Sequence, residues 1–258
     1  MASALITGAS SGIGLELAKV FARDKVNLIL VARSESKLQD LAVSLKNEFG
    51  ITAHVLAKDL SNYNVAKEIF DWCNQNNITA DYLVNNAGVG DFAFFANSEW
   101  HKQEQMINLN ITALTYLTHL FLPGMVQRKF GKILNVASTA AFQPGPAMSV
   151  YFATKSFVLH FSEAIADELQ GTGVTVTALC PGATESGFQS AAAMEDSKLF
   201  KGKKVPSSKV VAEYGYRAMQ KGKRVAIHGT MNYIMANSVR FAPRNLVTKI
   251  ARYMQGNP

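Results

Sequence analysis

The segment Leu5–Ala18, which reads LITGASSGIGLELA, joins an apolar stretch to an amphipathic one through three glycines. Glycine lets the backbone approach a ligand closely, and the start of a helix presents unpaired N–H groups to an anion. A turn of this kind directly after a first strand is typical of a dinucleotide-binding fold. We therefore predict a phosphate-binding turn made of Gly8, Ser10, Ser11, Gly12, Ile13 and Gly14.

Downstream of this turn, strand-like and helix-like patterns alternate. The strand-like runs are almost continuously apolar, as in parallel strands that are covered on both faces. They are Ala4–Ile6, Asn27–Val31, Ala53–Ala57, Tyr82–Val84, Lys132–Val136, Val174–Leu179 and Arg224–Ile227. The helical patterns are Gly12–Asp24, Glu35–Phe49, Asn64–Asn76, Glu99–Arg128, Val150–Gln170 and Ser208–Lys221. Residues 1–258 are thus predicted to form a single-domain α/β protein, a Rossmann-type doubly wound parallel sheet of about seven strands with helices on both faces.

Two segments depart from this alternation. Residues 186–206 are rich in small and then charged residues, and we predict a mobile substrate loop there. Residues 198–258 contain 13 Lys and Arg residues and one acidic residue. Residues 1–197 contain 13 Lys and Arg residues and 18 acidic residues. An anionic partner is therefore expected to meet the C-terminal quarter, in which residues 231–258 form a basic segment.

Composition and hydrophobic patterning argue against several classes of protein. With 48% hydrophobic and 17% charged residues, global disorder is not indicated. The N-terminal MASALITGAS has no basic region before its apolar run, and no stretch approaches about 18 uninterrupted apolar residues, so neither a signal peptide nor a spanning helix is predicted. Two cysteines, Cys73 and Cys180, indicate reduced thiols in a cytoplasmic protein. The five histidines show no metal-ligand spacing, so no metal is expected.

The end of the second predicted strand indicates which dinucleotide is bound. A fold that selects NAD usually has an acid there to hold the ribose 2′-hydroxyl. In LILVARSES this place is taken by Ala32 and Arg33. A guanidinium pairs with a 2′-phosphate, so NADP(H) is the predicted cofactor.

The same glycine turn also satisfies the G-x-S-x-G pattern of serine hydrolases. Ser10 would then be the nucleophile, and His228 could supply the base. However, only nine residues precede Ser10, and Gly14 has no role in such a turn. We therefore favour the dinucleotide interpretation.

Tyr151 and Lys155, in SVYFATKSF, lie on one face of a predicted helix and one turn apart. A neighbouring ammonium favours phenolate, so Lys155 is expected to lower the pKa of Tyr151 from its ordinary ~10. Such a tyrosine can exchange a proton with an alcohol oxygen. Ser138 ends a strand and is expected at the same edge of the sheet. Taken alone, the pair could equally be a core tyrosine with a lysine that reaches water.

Several motifs occur together in a fixed order: TGASSGIG, Asp59 in AKDLS, NNAG at Asn85–Gly88, Asn110 in NLNITAL, Ser138, the Tyr151–Lys155 pair and Pro181-Gly182. This arrangement resembles the compact form of the short-chain dehydrogenase/reductase family over essentially the whole chain. The run from Asn135 to Leu169 looks most like a bacterial subgroup of general reductases akin to hydroxysteroid and 3-ketoacyl reductases.

The resemblance implies a role for each catalytic residue. Tyr151 would be the general acid in reduction and the base in oxidation, and Lys155 would lower its pKa and bind the nicotinamide ribose. Ser138 would hold the substrate carbonyl, and Asn110 would interrupt its helix and hold a water of a proton relay. The residues implied to contact the cofactor elsewhere are Asp59, Leu60, Asn86, Ala87, Gly88, Pro181, Gly182 and Thr184. Helix or loop capping by Asp59 and Asn86, and a plain surface amide at Asn110, are the alternatives.

The expected substrate is a hydrophobic ketone or aldehyde and its alcohol, because the residues predicted near the reaction centre are mostly apolar. They are Val89, Phe92, Phe94, Phe95, Phe142, Met148, Phe188 and Met194. A non-catalytic NADP-binding sensor or scaffold is the second function considered, and the full set of catalytic residues argues against it.

The tail APRNLVTKIARYM predicts a helix near Pro243 with one apolar stripe. The stripe could rest on an anionic membrane surface, but we favour its covering the sheet or a neighbouring subunit. Nucleic acid binding is not expected, because the basic region lacks a reading motif. A homodimer or homotetramer through Glu99–Arg128 and Val150–Gln170 is implied by the resemblance.

Overall fold

A computed structural model describes residues 1–188, 192 and 205–256. Its centre is one parallel sheet of seven strands in the order β3-β2-β1-β4-β5-β6-β7. The strands are β1 (Ser3–Thr7), β2 (Asn27–Ala32), β3 (Ala53–Ala57), β4 (Tyr82–Asn85), β5 (Gly131–Val136), β6 (Val174–Cys180) and β7 (Val225–Ile227). The predicted doubly wound α/β fold is therefore confirmed.

Helices cover both faces of the sheet. They are α1 (Gly12–Arg23), α2 (Glu35–Phe49), α3 (Val65–Gln75), α4 (Trp100–Ile107), α5 (Leu114–Gln127), α6 (Ser149–Glu168), α7 (Ser208–Gln220), α8 (Thr230–Ser238) and α9 (Arg244–Gln255). In β1, Ile6 packs with α1, α2 and α7, whereas its neighbour Leu5 packs with α3, α5 and α6 on the opposite face. Successive strand residues point to opposite faces, so both must be apolar. This double burial explains the unbroken apolar runs of the sequence.

All the strands are parallel, but the order in which they are added to the sheet reverses between β1 and β4. These two strands are neighbours although β2 and β3 lie between them in the chain. Helical connections therefore leave the two strands toward opposite sides, and a crevice opens at their carboxyl ends. The glycine turn after β1 and the NNAG segment after β4 both border this crevice.

The predicted helix Glu99–Arg128 is divided. A π-helical segment, Asn108–Ala113, separates α4 from α5. Within it, the Asn110 amide donates to Val89 O at 2.9 Å and accepts from Val89 N at 3.0 Å. An extra residue in the turn thus directs Asn110 toward the loop after β4.

The continuous helical stretch Trp100–Gln127 is long and apolar enough to cross a membrane by length and composition. Its residues Leu117, Phe121 and Met125 are buried against the sheet. Such a core helix meets the same length criterion, so we assign no span to it.

The C-terminal part contains one helix that the sequence did not predict, α8, and one that it did, α9, which begins directly after Pro243. Cys73 and Cys180 are both buried and free, and burial raises the pKa of each thiol. In the part of the chain that the structure describes, no group of three His, Cys, Asp or Glu side chains could hold a metal ion.

Candidate active site

The turn after β1 depends on its glycines. Gly8 and Gly12 have φ values of +66° and +56°, a left-handed region that favours glycine. A Cβ on Gly8 would lie 2.7 Å from Asn86 Nδ2, and a Cβ on Gly14 would collide with the Gly8 carbonyl. The backbone of the turn therefore packs directly on the loop after β4, and α1 begins at the crevice.

A residue that the sequence analysis did not single out ties these two loops together. Thr7 Oγ1 accepts hydrogen bonds from Asn86 N at 2.9 Å and from Ala87 N at 3.0 Å. Asn86 Nδ2 returns a hydrogen bond to Thr7 O at 2.9 Å. Asn86 therefore joins the turn after β1 to the loop after β4, so its role is not limited to capping a loop.

One cavity of about 750 Å³ runs along the carboxyl edge of the sheet. This volume lies within the range of ligand pockets. Nearly all the residues predicted to bind the cofactor line it. They are Gly8, Ser10, Ser11, Gly12, Ile13, Arg33, Asp59, Leu60, Asn86, Ala87, Gly88, Pro181, Gly182 and Thr184. Gly14 lies beneath the turn, and its contacts are with Gly8 and Asn86.

Three of the four predicted catalytic side chains border this cavity, and Asn110 does not. Ser138, Tyr151 and Lys155 all line it. Ser138 follows β5, whereas the other two lie in the first two turns of α6, so the crossing of α6 over β5 brings them together. The Ser138 hydroxyl is hydrogen bonded to the Tyr151 phenol, and Ala140 N donates to Ser138 Oγ at 3.1 Å.

The predicted lowering of the Tyr151 pKa is wrong for the chain by itself. Burial raises the pKa of the phenol to about 12, and the hydrogen bond with Ser138 opposes this shift only in part. Lys155 Nζ lies 5.8 Å from the centre of the tyrosine ring and donates to Val136 O at 2.8 Å. Burial lowers the pKa of Lys155 to about 8. Removal of each group from water is thus the largest cause of its shift.

Asn110 and Lys155 approach the same glycine. A Cβ on Gly88 would lie 3.2 Å from Asn110 Oδ1 and 3.3 Å from Lys155 Nζ. Asn110 Nδ2 also donates to Thr154 Oγ1, on α6, at 3.1 Å. The buried Asn110 therefore joins the loop after β4 to α6, and it is not a surface amide.

The end of the cavity that Asp59 lines is polar. Asp59 Oδ1 accepts from Ser61 N at 2.9 Å and from Ser61 Oγ at 2.8 Å. The next helix, α3, begins only at Val65, so Asp59 does not cap it. Arg33 is exposed at the rim and has no acidic partner within the described ranges. Lys58, which the sequence analysis missed, lines the same end, with Nζ 2.6 Å from Glu68 Oε2.

The other end of the cavity starts at Pro181-Gly182. Thr184 Oγ1 donates to Gly182 O at 3.0 Å. Asn232, on the unpredicted helix α8, packs against Gly182, where a Cβ would meet its Nδ2 at 2.5 Å. Asn232 therefore belongs to the site, although nothing in its local sequence indicates this.

Only part of the predicted apolar wall faces this cavity. Val89, Met148 and Phe188 line it, and the Phe188 ring lies 5.2 Å from the ring of Tyr151. Phe92 is buried behind them, Phe95 is 59% exposed, and Phe142 borders a separate cavity of about 540 Å³. Phe94 is partly buried in the same cluster as Phe92. Met194 and most of the predicted loop 186–206 lie outside the described residues.

The C-terminal helices complete the wall. The additional residues that line the cavity from this part of the chain are Met231, Met235, Ala236, Ala251, Met254 and Gln255. One face of α9 therefore borders the cavity at the edge of the sheet. No local motif indicates these contacts, because they depend on how α8 and α9 fold back over the edge of the sheet.

Comparison with known proteins agrees with this geometry. Residues 2–196 match the model of the short chain dehydrogenase family. A very-long-chain 3-oxoacyl-CoA reductase of Phaeosphaeria nodorum is 38% identical over 67% of this chain and 52% of its own length. The NADP-dependent 3-hydroxy acid dehydrogenase YdfG of Escherichia coli K12 is 37% identical over 69% of this chain and 71% of its own. The chain spans about half the length of several curated relatives that it matches.

Solved structures show the same fold. A short-chain dehydrogenase from Sphingobium yanoikuyae in complex with NADPH has a TM-score of 0.83 and 31% identity, and the match covers 93% of this chain and 94% of the other. A bulky-bulky ketone specific alcohol dehydrogenase from Comamonas testosteroni has a TM-score of 0.80 and 29% identity, covering 93% and 92%. The chain belongs to the short-chain dehydrogenase family.

Proposed function

We propose that the chain is an NADP(H)-dependent oxidoreductase that interconverts a hydrophobic ketone or aldehyde and its alcohol. The observation that carries this proposal is the meeting of Ser138, Tyr151 and Lys155 in the cavity that the glycine turn borders. A proton donor and a phosphate-binding turn in one crevice are what carbonyl reduction by a nicotinamide requires.

The residues of the cavity fit NADP(H). Left-handed Gly8 and Gly12 bring backbone to the crevice where a Cβ would obstruct it, which suits a pyrophosphate. Arg33 would pair with the 2′-phosphate, whereas the charge of Lys58 at the same end is already paired with Glu68. The names of relatives support this choice, since one is called NADP-dependent and a structural neighbour is in complex with NADPH. The cofactor, when bound, supplies the hydride.

Tyr151 is the proton donor in this proposal. With a pKa of about 12, its phenol is protonated at neutral pH, so it can give a proton to the carbonyl oxygen as negative charge develops there. Ser138 stands beside it and would donate a hydrogen bond to the same oxygen. In the oxidation direction the proton would return to Tyr151.

Lys155 would stabilise the tyrosinate that remains after transfer. Its pKa of about 8 leaves it mostly charged at pH 7. At 5.8 Å from the ring centre, an ammonium attracts a phenolate by about 3 kcal/mol at an effective dielectric constant of about 20. This attraction exists only when Tyr151 has lost its proton. It therefore lowers the barrier to proton transfer from Tyr151 to the substrate, although Tyr151 remains protonated before the reaction.

The apolar wall supports a hydrophobic substrate. Met148, Phe152 and Phe188 surround Tyr151, and four methionines in all line the cavity. Among the described lining residues, the charged ones are Arg33, Lys58, Asp59 and Lys155, which leaves none beside the apolar wall to bind a substrate carboxylate. Two relatives, named for bulky ketones and for very-long-chain 3-oxoacyl thioesters, have substrates of this character.

The first test is the replacement Tyr151→Phe, assayed with NADPH and a panel of hydrophobic ketones by nicotinamide absorbance. Loss of general acid catalysis is expected to lower kcat by about 10²–10⁴-fold, while NADPH binding, followed by fluorescence, persists. Tyr82→Phe, at the opposite edge of the sheet, is the matched control and should retain full activity. Unchanged turnover in Tyr151→Phe would exclude the proposed proton donor.

The second test concerns the cofactor. Arg33→Asp removes the guanidinium and adds a charge that repels a 2′-phosphate. Loss of a charge-assisted contact of about 1.5–3 kcal/mol predicts that the NADPH/NADH ratio of kcat/KM falls by roughly 10–100-fold. Lys223→Asp, an exposed change before β7, controls for net charge. An unaltered ratio in Arg33→Asp would contradict the proposed selectivity.

The two alternative functions make different predictions. A sensor or scaffold would bind NADPH without oxidising it in the presence of any ketone of the panel. A serine hydrolase needs a base near Ser10, but among the described residues that line the cavity there is no histidine. The reductase is therefore the function that the geometry supports best.

We further propose a cytoplasmic homo-oligomer that pairs through α5 and α6. Exposed apolar rings support this pairing, since Phe157 on α6 is 40% exposed and stacks on Phe161 with ring centres 5.8 Å apart. The solution mass, measured by light scattering, tests the proposal, and a monomer at micromolar concentration would contradict it.

A further inference from the structure

We propose that residues 230–256, here called the C-terminal surface, dock on an anionic membrane surface beside the opening of the cavity. The partner is the headgroup region of a bilayer that contains anionic lipid. This proposal concerns binding and does not require that the chain be a reductase.

The outer face of α9 carries an apolar stripe. Leu246, Ile250 and Tyr253 are spaced four and three residues apart, so they lie on one face of the helix. Their exposed fractions are 48%, 48% and 76%. At about 100° per residue they span only about 60° of the helix surface, which is a narrow and continuous strip.

The inner face of the same helix is already occupied. Val247, Ala251 and Gln255 are buried, and the last two line the cavity. The helix therefore has one face that closes the site and another on which Leu246 and Ile250 are about half exposed. A helix of the core would have a polar outer face, so the outer stripe needs a partner of its own.

Other exposed apolar side chains occur in the same segment of the chain. Phe241, in the turn that joins α8 to α9, is 90% exposed. On α8, Tyr233 and Ile234 are 56% and 54% exposed, and Met231, 66% exposed, also lines the cavity. Aromatic and large aliphatic side chains together are what an interfacial segment inserts among lipid headgroups.

Charge selects an anionic partner. Residues 230–256 contain Arg240, Arg244, Lys249 and Arg252 and no Asp or Glu, and all four cations are exposed. Lys249 lies beside the stripe, about 60° from Leu246 around the helix. Cations that flank an apolar strip attract anionic lipid while the strip enters the interface.

The same charges disfavour a second copy of the chain as the occupant. In a two-fold dimer through this surface, the patch would meet itself. Four cations would then face four cations, and no acid of the same segment could pair with them. The long helices α5 and α6 offer the better surface for self-association.

The position of the surface gives docking a consequence, which rests on the proposed function. Met231 and Met254 line the cavity from α8 and α9, and Met231 is 66% exposed, so the cavity meets the protein surface at this segment. A hydrophobic carbonyl compound dissolved in a bilayer could then enter the site with little exposure to water. Vesicles that carry such a substrate would be reduced faster by the docked protein.

The test is sedimentation of the full chain with vesicles of phosphatidylcholine, with and without phosphatidylglycerol. We expect binding to the anionic vesicles, at least tenfold weaker binding to the neutral ones, and release as salt rises. The double variant Leu246→Glu/Ile250→Glu and the charge variant Arg240→Glu/Lys249→Glu should each bind at least tenfold more weakly. These four side chains are exposed, so thermal melting by circular dichroism should be unchanged.

Matched controls separate this surface from general stickiness. Val43→Glu/Val210→Glu introduces the same acids at exposed apolar positions on α2 and α7, and Lys221→Glu/Lys223→Glu reverses two exposed charges before β7. Both should bind vesicles like the unaltered chain. Absence of vesicle binding, or equal losses of binding in the control variants, would overturn the proposal. A halved solution mass of Leu246→Glu/Ile250→Glu, together with no binding of lipid by the unaltered chain, would also overturn it and would identify a second copy of the chain as the occupant.

The outcomes also separate this proposal from the enzymatic one. NADPH oxidation in vesicle-free buffer without any vesicle binding supports the reductase and refutes docking. Vesicle binding without oxidation of NADPH supports docking and refutes the reductase.

Discussion

Replacement of Lys155 by methionine is expected to change how the stability of the chain depends on pH. Lys155 is 5% exposed, and burial lowers its pKa from 10.5 to about 8. In the unfolded chain the same lysine is in water and keeps its ordinary value. Between these two values the unfolded state binds a proton that the folded state has released, so the free energy of unfolding rises with pH.

The magnitude follows from the difference in pKa. A pKa difference of about 2.5 units corresponds to about 3 kcal/mol, at about 1.4 kcal/mol per pH unit. The free energy of unfolding gains this amount between pH 8 and 10.5, and the gain is absent below pH 8. Tyr151 and Cys180, whose pKa is about 12 in the folded chain, release their protons in this window only in the unfolded chain. This contribution is common to the unaltered chain and to Lys155→Met, so it cancels in the comparison. Methionine has no proton to release, so Lys155→Met removes the whole increment.

The assay is urea unfolding, followed by circular dichroism at intervals between pH 7 and 10.5. We expect the unaltered chain to gain about 3 kcal/mol relative to Lys155→Met over this range. Loss of the hydrogen bond to Val136 O shifts the variant by a similar amount at each pH and leaves the slope unaffected. Lys46→Met, an exposed change on α2, should run parallel to the unaltered chain. Parallel curves for Lys155→Met would refute the assignment of a buried, easily deprotonated lysine.

Two further predictions concern the glycine turn. Gly14→Ala places a Cβ against the Gly8 carbonyl and Asn86 and should lower the free energy of unfolding by about 1–3 kcal/mol and weaken NADPH binding. Gly124→Ala in α5, where the Cβ meets only the tip of Arg128, should be neutral or stabilising in the same urea titration; equal losses would disprove the tight contact. Thr7→Val removes the acceptor for Asn86 N and Ala87 N and should cost about 1–3 kcal/mol. In Thr177→Val, whose hydroxyl has no hydrogen-bond partner in the described structure, melting should not fall, and a fall as large as that of Thr7→Val would contradict the reasoning.

The sequence by itself determined the sheet, and it predicted which residues meet at the carboxyl edge. Strands buried on both faces must be apolar at every position, so runs such as Asn27–Val31 could be recognised without any knowledge of their partners. The glycines of the first turn and the pair Tyr151 and Lys155 are likewise local patterns, and their places after strands predicted the edge at which they meet. These signals are contained within a few consecutive residues.

What only the tertiary structure decided are the properties that depend on contacts between distant segments. Tyr151 has a raised pKa because several elements together remove it from water, whereas the local pattern showed only the nearby lysine. Asn232 and Met254 line the cavity because α8 and α9 fold back over the edge of the sheet. Desolvation and shape at a site are sums over neighbours from the whole chain, and no short stretch of sequence contains them.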